Sequence, residues 1–335
     1  MPFIKDVVKF QSLSIVGLEK NTGKTECLNY VLDRLKEQSK VVAVTSIGID
    51  GESLDQVTQT PKPTVAIYPN MLFVTAEKLY RQKELVAEVV NVSNKSTALG
   101  RLITAKAITK GKVILAGPPD TAGLKNLIED NAKRGVELTI VDGALSRISL
   151  ASPAITSAMI LATGAAYSAN IAELVRKTKY AVDLIRIEEV EADLKSKLAN
   201  SESGFWAVTP NQEVVNLNIQ SVYMLDKDKS TLLQHGTTIF VGGAVTDKLL
   251  NSIRNQNQCN KTTIIAKDFT KIFVTPETYR AYIKKGGKIK VLQQTKLIAV
   301  CINPQSPDGY LLNSLELQKA MSDALMLPVY DIKKI

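Results

Sequence analysis

The chain has 335 residues, 45% of them hydrophobic, which is enough for a large core and long enough for two domains. Its 42 Lys+Arg against 33 Asp+Glu give a net charge of +9, interspersed rather than gathered in a basic arm; with 5% aromatic residues and no recognition motif, nucleic-acid binding is not expected. Three dispersed cysteines (Cys27, Cys259, Cys301) and a single histidine, His235, exclude a zinc site of ordinary spacing, disfavour a Ser-His-Asp hydrolase and point to a reducing, cytoplasmic setting.

Residues 1–12 carry Lys5, Asp6 and Lys9 and no apolar run, so no signal peptide is expected. An apolar strand at 13–16 runs into a glycine-bearing loop, and a helix at 26–38 follows with Leu28, Val31, Leu32 and Leu35 on one stripe. A β-branched strand at 40–49 ends at Gly48 and Gly51, with short extended segments at 64–68 and 71–74. Helices are expected at 77–90 and 98–109, then a strand at 113–116 stopped by Gly117-Pro118-Pro119, a helix at 121–133 and a buried strand at 137–141. A charge-free stretch at 148–172 is rich in Ala and holds Pro153, Gly164 and Asn170, so it reads as a helix buried inside a globular domain and not as a membrane span. It belongs to a helical tract at 154–178, followed by a strand at 181–187. Residues 188–204 are charged and read as a linker. Beyond them strands at 214–219, 222–225, 238–241, 262–266, 271–274 and 297–302 alternate with helices at 246–256, 276–285 and 312–325. The expected fold is α/β: a P-loop NTPase-like, mainly parallel sheet flanked by helices over 1–187, and a second, smaller α/β domain over 205–335. Trp206 is expected to pack between the two.

The chemistry is concentrated at Gly17-Leu18-Glu19-Lys20-Asn21-Thr22-Gly23-Lys24-Thr25, between a strand and a helix, with Glu26 next along. Glycines let successive amides turn toward an oxyanion, and the helix N-terminus adds partial positive charge. Lys24 would reach the β- and γ-phosphates of ATP, and the Thr25 hydroxyl would ligate Mg²⁺. Gly17 and Gly23 are separated by five residues where the usual P-loop has four. That spacing, with an acid two places after the first glycine, resembles the dethiobiotin synthetase-like branch of P-loop proteins.

Asp142, closing the strand at 137–141, would sit at the same sheet edge and hold a metal-bound water, or else cap a turn. The dethiobiotin synthetase-like pattern has Glu-Gly with a further glycine here; this chain has Asp142-Gly143-Ala144. Asp50 and Glu52, after the second strand, could orient Mg²⁺ or attacking water, or belong to an Asp-Gly turn. Arg147 could reach a phosphate or lie in solvent. Asp120 or Thr121 reads as a helix cap, and residues 94–101 as a polar helix entry with a specificity loop as the alternative. Gly242-Gly243 reads as a tight strand-to-helix turn, and residues 303–310 as a long polar loop that could face a partner or a ligand, or be ordinary Pro-Asp-Gly turn chemistry.

Together, the 17–25 loop, Thr97-Ala98-Leu99-Gly100-Arg101, the 141–147 stretch and Ser149-Leu150-Ala151-Ser152-Pro153-Ala154 resemble the smaller subunits of lysine 5,6-aminomutase reactivases, encoded with lysine-fermentation genes in anaerobic bacteria. The resemblance implies an accessory protein that helps exchange damaged cobalamin on an adenosylcobalamin- and pyridoxal-phosphate-dependent aminomutase. It also implies a larger partner subunit with its own ATPase, and leaves homo-oligomerisation open; no cobalamin site is assigned. The alternative is a stand-alone ATP-dependent ligase or kinase of the dethiobiotin synthetase-like type.

Overall fold

Strands with no exposed face set the architecture. The computed structural model describes residues 2–48, 64–144, 152–201, 203–222, 224 and 232–335. In chain order the first elements are α1 (Ile4–Val7), β1 (Ser12–Gly17), α2 (Lys24–Leu35), β2 (Val42–Ser46), β3 (Val65–Ile67), β4 (Leu72–Ala76) and α3 (Glu77–Tyr80). There follow β5 (Ala87–Thr97), β6 (Gly100–Ala107), β7 (Gly111–Val113), α4 (Thr121–Lys133), β8 (Leu138–Ala144), β9 (Ala158–Gly164) and α5 (Ile171–Ile185). Next come α6 (Ala192–Leu198), β10 (Phe205–Val208), β11 (Val214–Asn216), β12 (Thr238–Val241), β13 (Val245–Thr246), α7 (Asp247–Arg254), β14 (Thr263–Ala266), β15 (Ile272–Phe273), α8 (Pro276–Lys284) and β16 (Lys288–Val291). The chain closes with β17 (Lys296–Asn303), α9 (Ser314–Leu325) and β18 (Val329–Asp331).

The chain divides into two compact units, residues 1–179 with 296–335, and residues 180–295. The first is α/β around a nine-stranded sheet ordered β18-β17-β9-β1-β8-β2-β4-β6-β5. Neighbours from β18 to β4 are parallel, and β6 and β5 add an antiparallel edge. Helix α2 buries Cys27, Leu28, Val31, Leu32 and Leu35 on one face of the sheet against Leu13, Ile15, Leu138 and Ile140. On the other face α4 packs Leu124 against Ile47 and Val141. Leu138 and Ile140 face α2 while Val141 faces α4, the alternation of a strand buried on both sides. In the second unit a five-stranded sheet, β11-β10-β12-β14-β16, has its last three strands parallel, and α7 and α8 bury Leu249, Leu250, Ile253 and Tyr282 with them.

Several elements differ from their sequence expectation. The domain break expected at 188–204 is instead part of the second unit: α6 lies there, and Val190 and Leu198 join Val208, Phe240 and Ile265 in its core. Residues 296–335, expected in a C-terminal domain, return to the first unit because β17 pairs with β9 over Lys296–Asn303. The charge-free tract expected as a helix holds β9, buried at every position between β1 and β17; a continuous apolar run does not by itself distinguish a strand with two covered faces from a buried helix. Residues 181–185, expected as a strand, continue α5. Trp206 sits in β10, packed on the second unit's own core with its indole N–H donating to Ser203 O at 2.8 Å. Among the described residues no helix is long and apolar enough to cross a membrane.

The expected helices at 77–90 and 98–109 are largely the β5–β6 hairpin, apart from the single turn of α3. The β-branched content of 89–92 and pairing of β6 with β4 outweigh helical spacing. Its turn is fastened to α3: Arg101 donates its main-chain N–H to Glu77 Oε2 at 2.8 Å and Nη2 to Oε1 at 2.8 Å. Gly100 has φ +92 and leaves no room for a Cβ beside Glu77. The backbone hydrogen bond from Arg101, followed by its side-chain bond, lowers the Glu77 pKa. A depressed carboxylate pKa contributes stability above its unfolded value and loses it as pH falls through the folded value. Glu77→Gln should therefore lower Tm at pH 7, and the gap from the parent should close as acid protonates Glu77; a gap that persists in acid would count against the charge.

Candidate functional site

Strand parity brings the key pair together. Leu138 and Ile140 lie on the α2 side of the sheet, so two-residue periodicity places Asp142 on that side, one step beyond the core. Lys24 is the first residue of α2. Its Nζ stands 2.9 Å from Asp142 Oδ1, with the side chains 25% and 16% exposed. That carboxylate oxygen is sealed from solvent and takes no aligned hydrogen bond, so the contact is an ion pair. The register Ile15↔Asp142 and Gly17↔Ala144 puts Asp142 and the start of the loop that leads to Lys24 at the carboxyl edge of adjacent parallel strands.

The loop between β1 and α2 is tightly determined. Leu18 N–H donates to Ala162 O at 2.9 Å, and the Thr22 hydroxyl donates to Glu19 O at 2.8 Å. A Cβ on Gly17 would fall 2.7 Å from Thr22 Oγ1, so a side chain there would break this closure. Asn21 has φ 61 and Gly23 φ 88, two left-handed residues that turn the chain into the helix. The Glu19 carboxylate accepts the Lys20 main-chain N–H at 2.9 Å. Thr22 is buried, Gly23, Lys24 and Thr25 are half-buried, and Glu19, Lys20, Asn21 and Glu26 are exposed.

Asn303, the last residue of β17, opens the polar stretch whose ligand-facing alternative the sequence leaves open, and it stands against the 17–25 loop. Its Nδ2 donates to Asn21 O at 3.3 Å, while its Oδ1 accepts the Gln305 N–H at 3.2 Å. A Cβ on Gly23 would lie 2.8 Å from Asn303 Cβ. The signal that could have found it is a polar residue at the end of an apolar strand, at the edge where α/β sheets bind ligands. A notch of about 10 Å³, the room of one water, lies between Thr22, Gly23, Glu26 and Asn303. Behind it the buried thiols of Cys27 and Cys301 stand 3.6 Å apart, and burial raises the Cys301 pKa.

Lys24 and Asp142 are thus brought together with the loop, while Asp50, Glu52 and Arg147 lie outside the described residues. Asp120 caps α4, accepting the Gly123 N–H at 2.7 Å. Thr97 and Arg101 belong to the β5–β6 turn and not to a helix entry. Chemically, a loop of main-chain amides, a helix N-terminus and one ammonium group suit an oxyanion, and a neighbouring carboxylate with a hydroxyl suits a hard cation. Comparisons with protein-family models, curated proteins and solved structures gave no match.

The crowding at Gly23 is testable. Gly23→Ala should destabilise the protein by about 1–3 kcal/mol, from left-handed strain plus contact with Asn303; an unchanged urea midpoint would contradict it.

Proposed function

We propose that this chain is a P-loop nucleotide-binding protein that takes ATP·Mg²⁺ at residues 17–25 and serves as the accessory subunit of a lysine 5,6-aminomutase reactivase. The observation that carries the nucleotide half is the 2.9 Å Lys24–Asp142 pair at the mouth of the strand–loop–helix turn. In this reading the loop amides cradle the β- and γ-phosphates, Lys24 offsets their charge, and the Thr25 hydroxyl and Asp142 carboxylate hold Mg²⁺. The donor set fits: Mg²⁺ favours oxygen, keeps several waters and needs one or two carboxylates beside the phosphates. Asp142 Oδ1, held by the Lys24 ammonium at 2.9 Å and by no aligned hydrogen bond, is the oxygen a cation would take over. No group of three or more His, Cys, Asp or Glu suited to a dedicated metal cage occurs among the described residues. Bound Mg²⁺ would neutralise phosphate charge; Asp50 stays a candidate for the same shell on sequence grounds alone.

The client half rests on the sequence resemblance, which brings with it a larger ATPase subunit, the aminomutase itself and a cytoplasmic setting.

Lys24→Ala should weaken ATP·Mg²⁺ binding by roughly 10- to 100-fold, the cost of losing one charge-assisted contact, in a titration by calorimetry with the circular dichroism spectrum unchanged. Unaltered affinity would remove the site assignment. Purification from native cells should bring down a larger ATPase. Strong stimulation of hydrolysis by a metabolite in the absence of any partner would replace the accessory role with the ligase reading.

A further inference from the structure

The anion-binding groups of this loop are already engaged by the chain's own carboxylates. Asp142 lies on the Lys24 ammonium at 2.9 Å, and Glu19 accepts the Lys20 N–H at 2.9 Å. Each occupies a group that a triphosphate would need, one the cation and one a main-chain donor. We propose that these carboxylates form a latch, Asp142 chief among them, and that a divalent cation is required to release it. The proposal rests on the nucleotide-binding reading and adds how that site is regulated.

The electrostatics give the latch its direction. A metal-free triphosphate arriving at residues 17–25 competes with Asp142 for Lys24. If it wins, a carboxylate with a solvent-sealed oxygen is left facing the phosphate chain. Like charges in a partly buried setting repel more strongly than in water. A divalent cation delivered with the nucleotide gives Asp142 another partner and frees the ammonium. Affinity for the free nucleotide is therefore reduced by the fraction of molecules in which the pair is closed, and the cation removes that penalty. Asp142 thus plays two opposed parts: without metal it excludes nucleotide, and with metal it helps hold it. The Glu19 arm is weaker, since that side chain is exposed and screened by solvent.

The decisive experiment is an ATP titration of the full chain and of Asp142→Asn, each in EDTA and in Mg²⁺. The parent should bind about tenfold or more tightly with Mg²⁺. In EDTA, Asp142→Asn should bind about tenfold more tightly than the parent, with most of the Mg²⁺ effect gone. Glu19→Gln should give a smaller gain in EDTA. If the parent binds ATP·Mg²⁺ but Asp142→Asn gains nothing in EDTA, the latch is wrong and the nucleotide site stands. If the parent does not bind ATP·Mg²⁺ at all, the reading beneath the latch falls with it. A second readout needs no nucleotide: an amine-reactive ester should modify Lys24 severalfold faster in Asp142→Asn, or in Asp142→Ser should the first variant not fold, than in the parent. Equal rates, measured on the Lys24 peptide by mass spectrometry, would overturn the proposal.

Discussion

The site depends on one constraint: β1 and β8 pair in parallel, in one register. Gly17 and Asp142 then fall at the same sheet edge, and strand parity turns Asp142 toward the first residue of α2. A slip of a single residue would carry the carboxylate to the α4 face, away from Lys24. That register is anchored by side chains with nowhere else to go. Leu13, Ile15, Leu138 and Ile140 are fully buried beneath α2, and Val141 beneath α4. The Lys24–Asp142 pair itself, neither exposed nor fully enclosed, is placed by this core and does little to hold it together.

The loop chemistry and its setting were legible in the sequence because both are local. Glycines at 17 and 23, a lysine at 24 and an apolar stripe along 27–35 follow one another in one short stretch of chain, and each reports directly on backbone conformation or on a covered face. Asp142 was legible for a similar reason, as the polar end of an apolar run. What escaped was non-local pairing. Nothing in residues 296–303 says that their neighbour is 158–164 and not a strand nearer in sequence. The charge-free tract around β9 was ambiguous because a strand covered on both faces has lost the alternation that would identify it. The β5–β6 hairpin was hidden differently: Ala, Leu and Lys favour helix locally, while pairing with β4 decides the outcome.

Asn303 illustrates the same limit at the level of a single side chain. In sequence it is the first residue of a polar turn; in space it reaches the apex of a loop 282 residues earlier. Its Cβ also accounts for the absence of a side chain at Gly23, and its carbonyl for the absence of one at Gly164, where a Cβ would come within 2.2 Å of Asn303 O. Two glycines that look like independent turn signals therefore share a single steric cause.

This arrangement has a consequence for how the loop acquires its shape. The carbonyl of Asn21 is held by a strand that lies beyond residues 180–295 in the sequence and rejoins the sheet of the first unit. Local glycines allow the loop to turn but do not choose among the turns they allow. The choice is made by three contacts of very different sequence separation: Thr22 to Glu19, Leu18 to Ala162 and Asn21 to Asn303. The longest of them closes at the greatest entropic cost, and it comes from β17, which is itself secured on both sides by β9 and β18. The loop's last restraint is thus part of a sheet interior, which ties its apex to the packed core of the first unit.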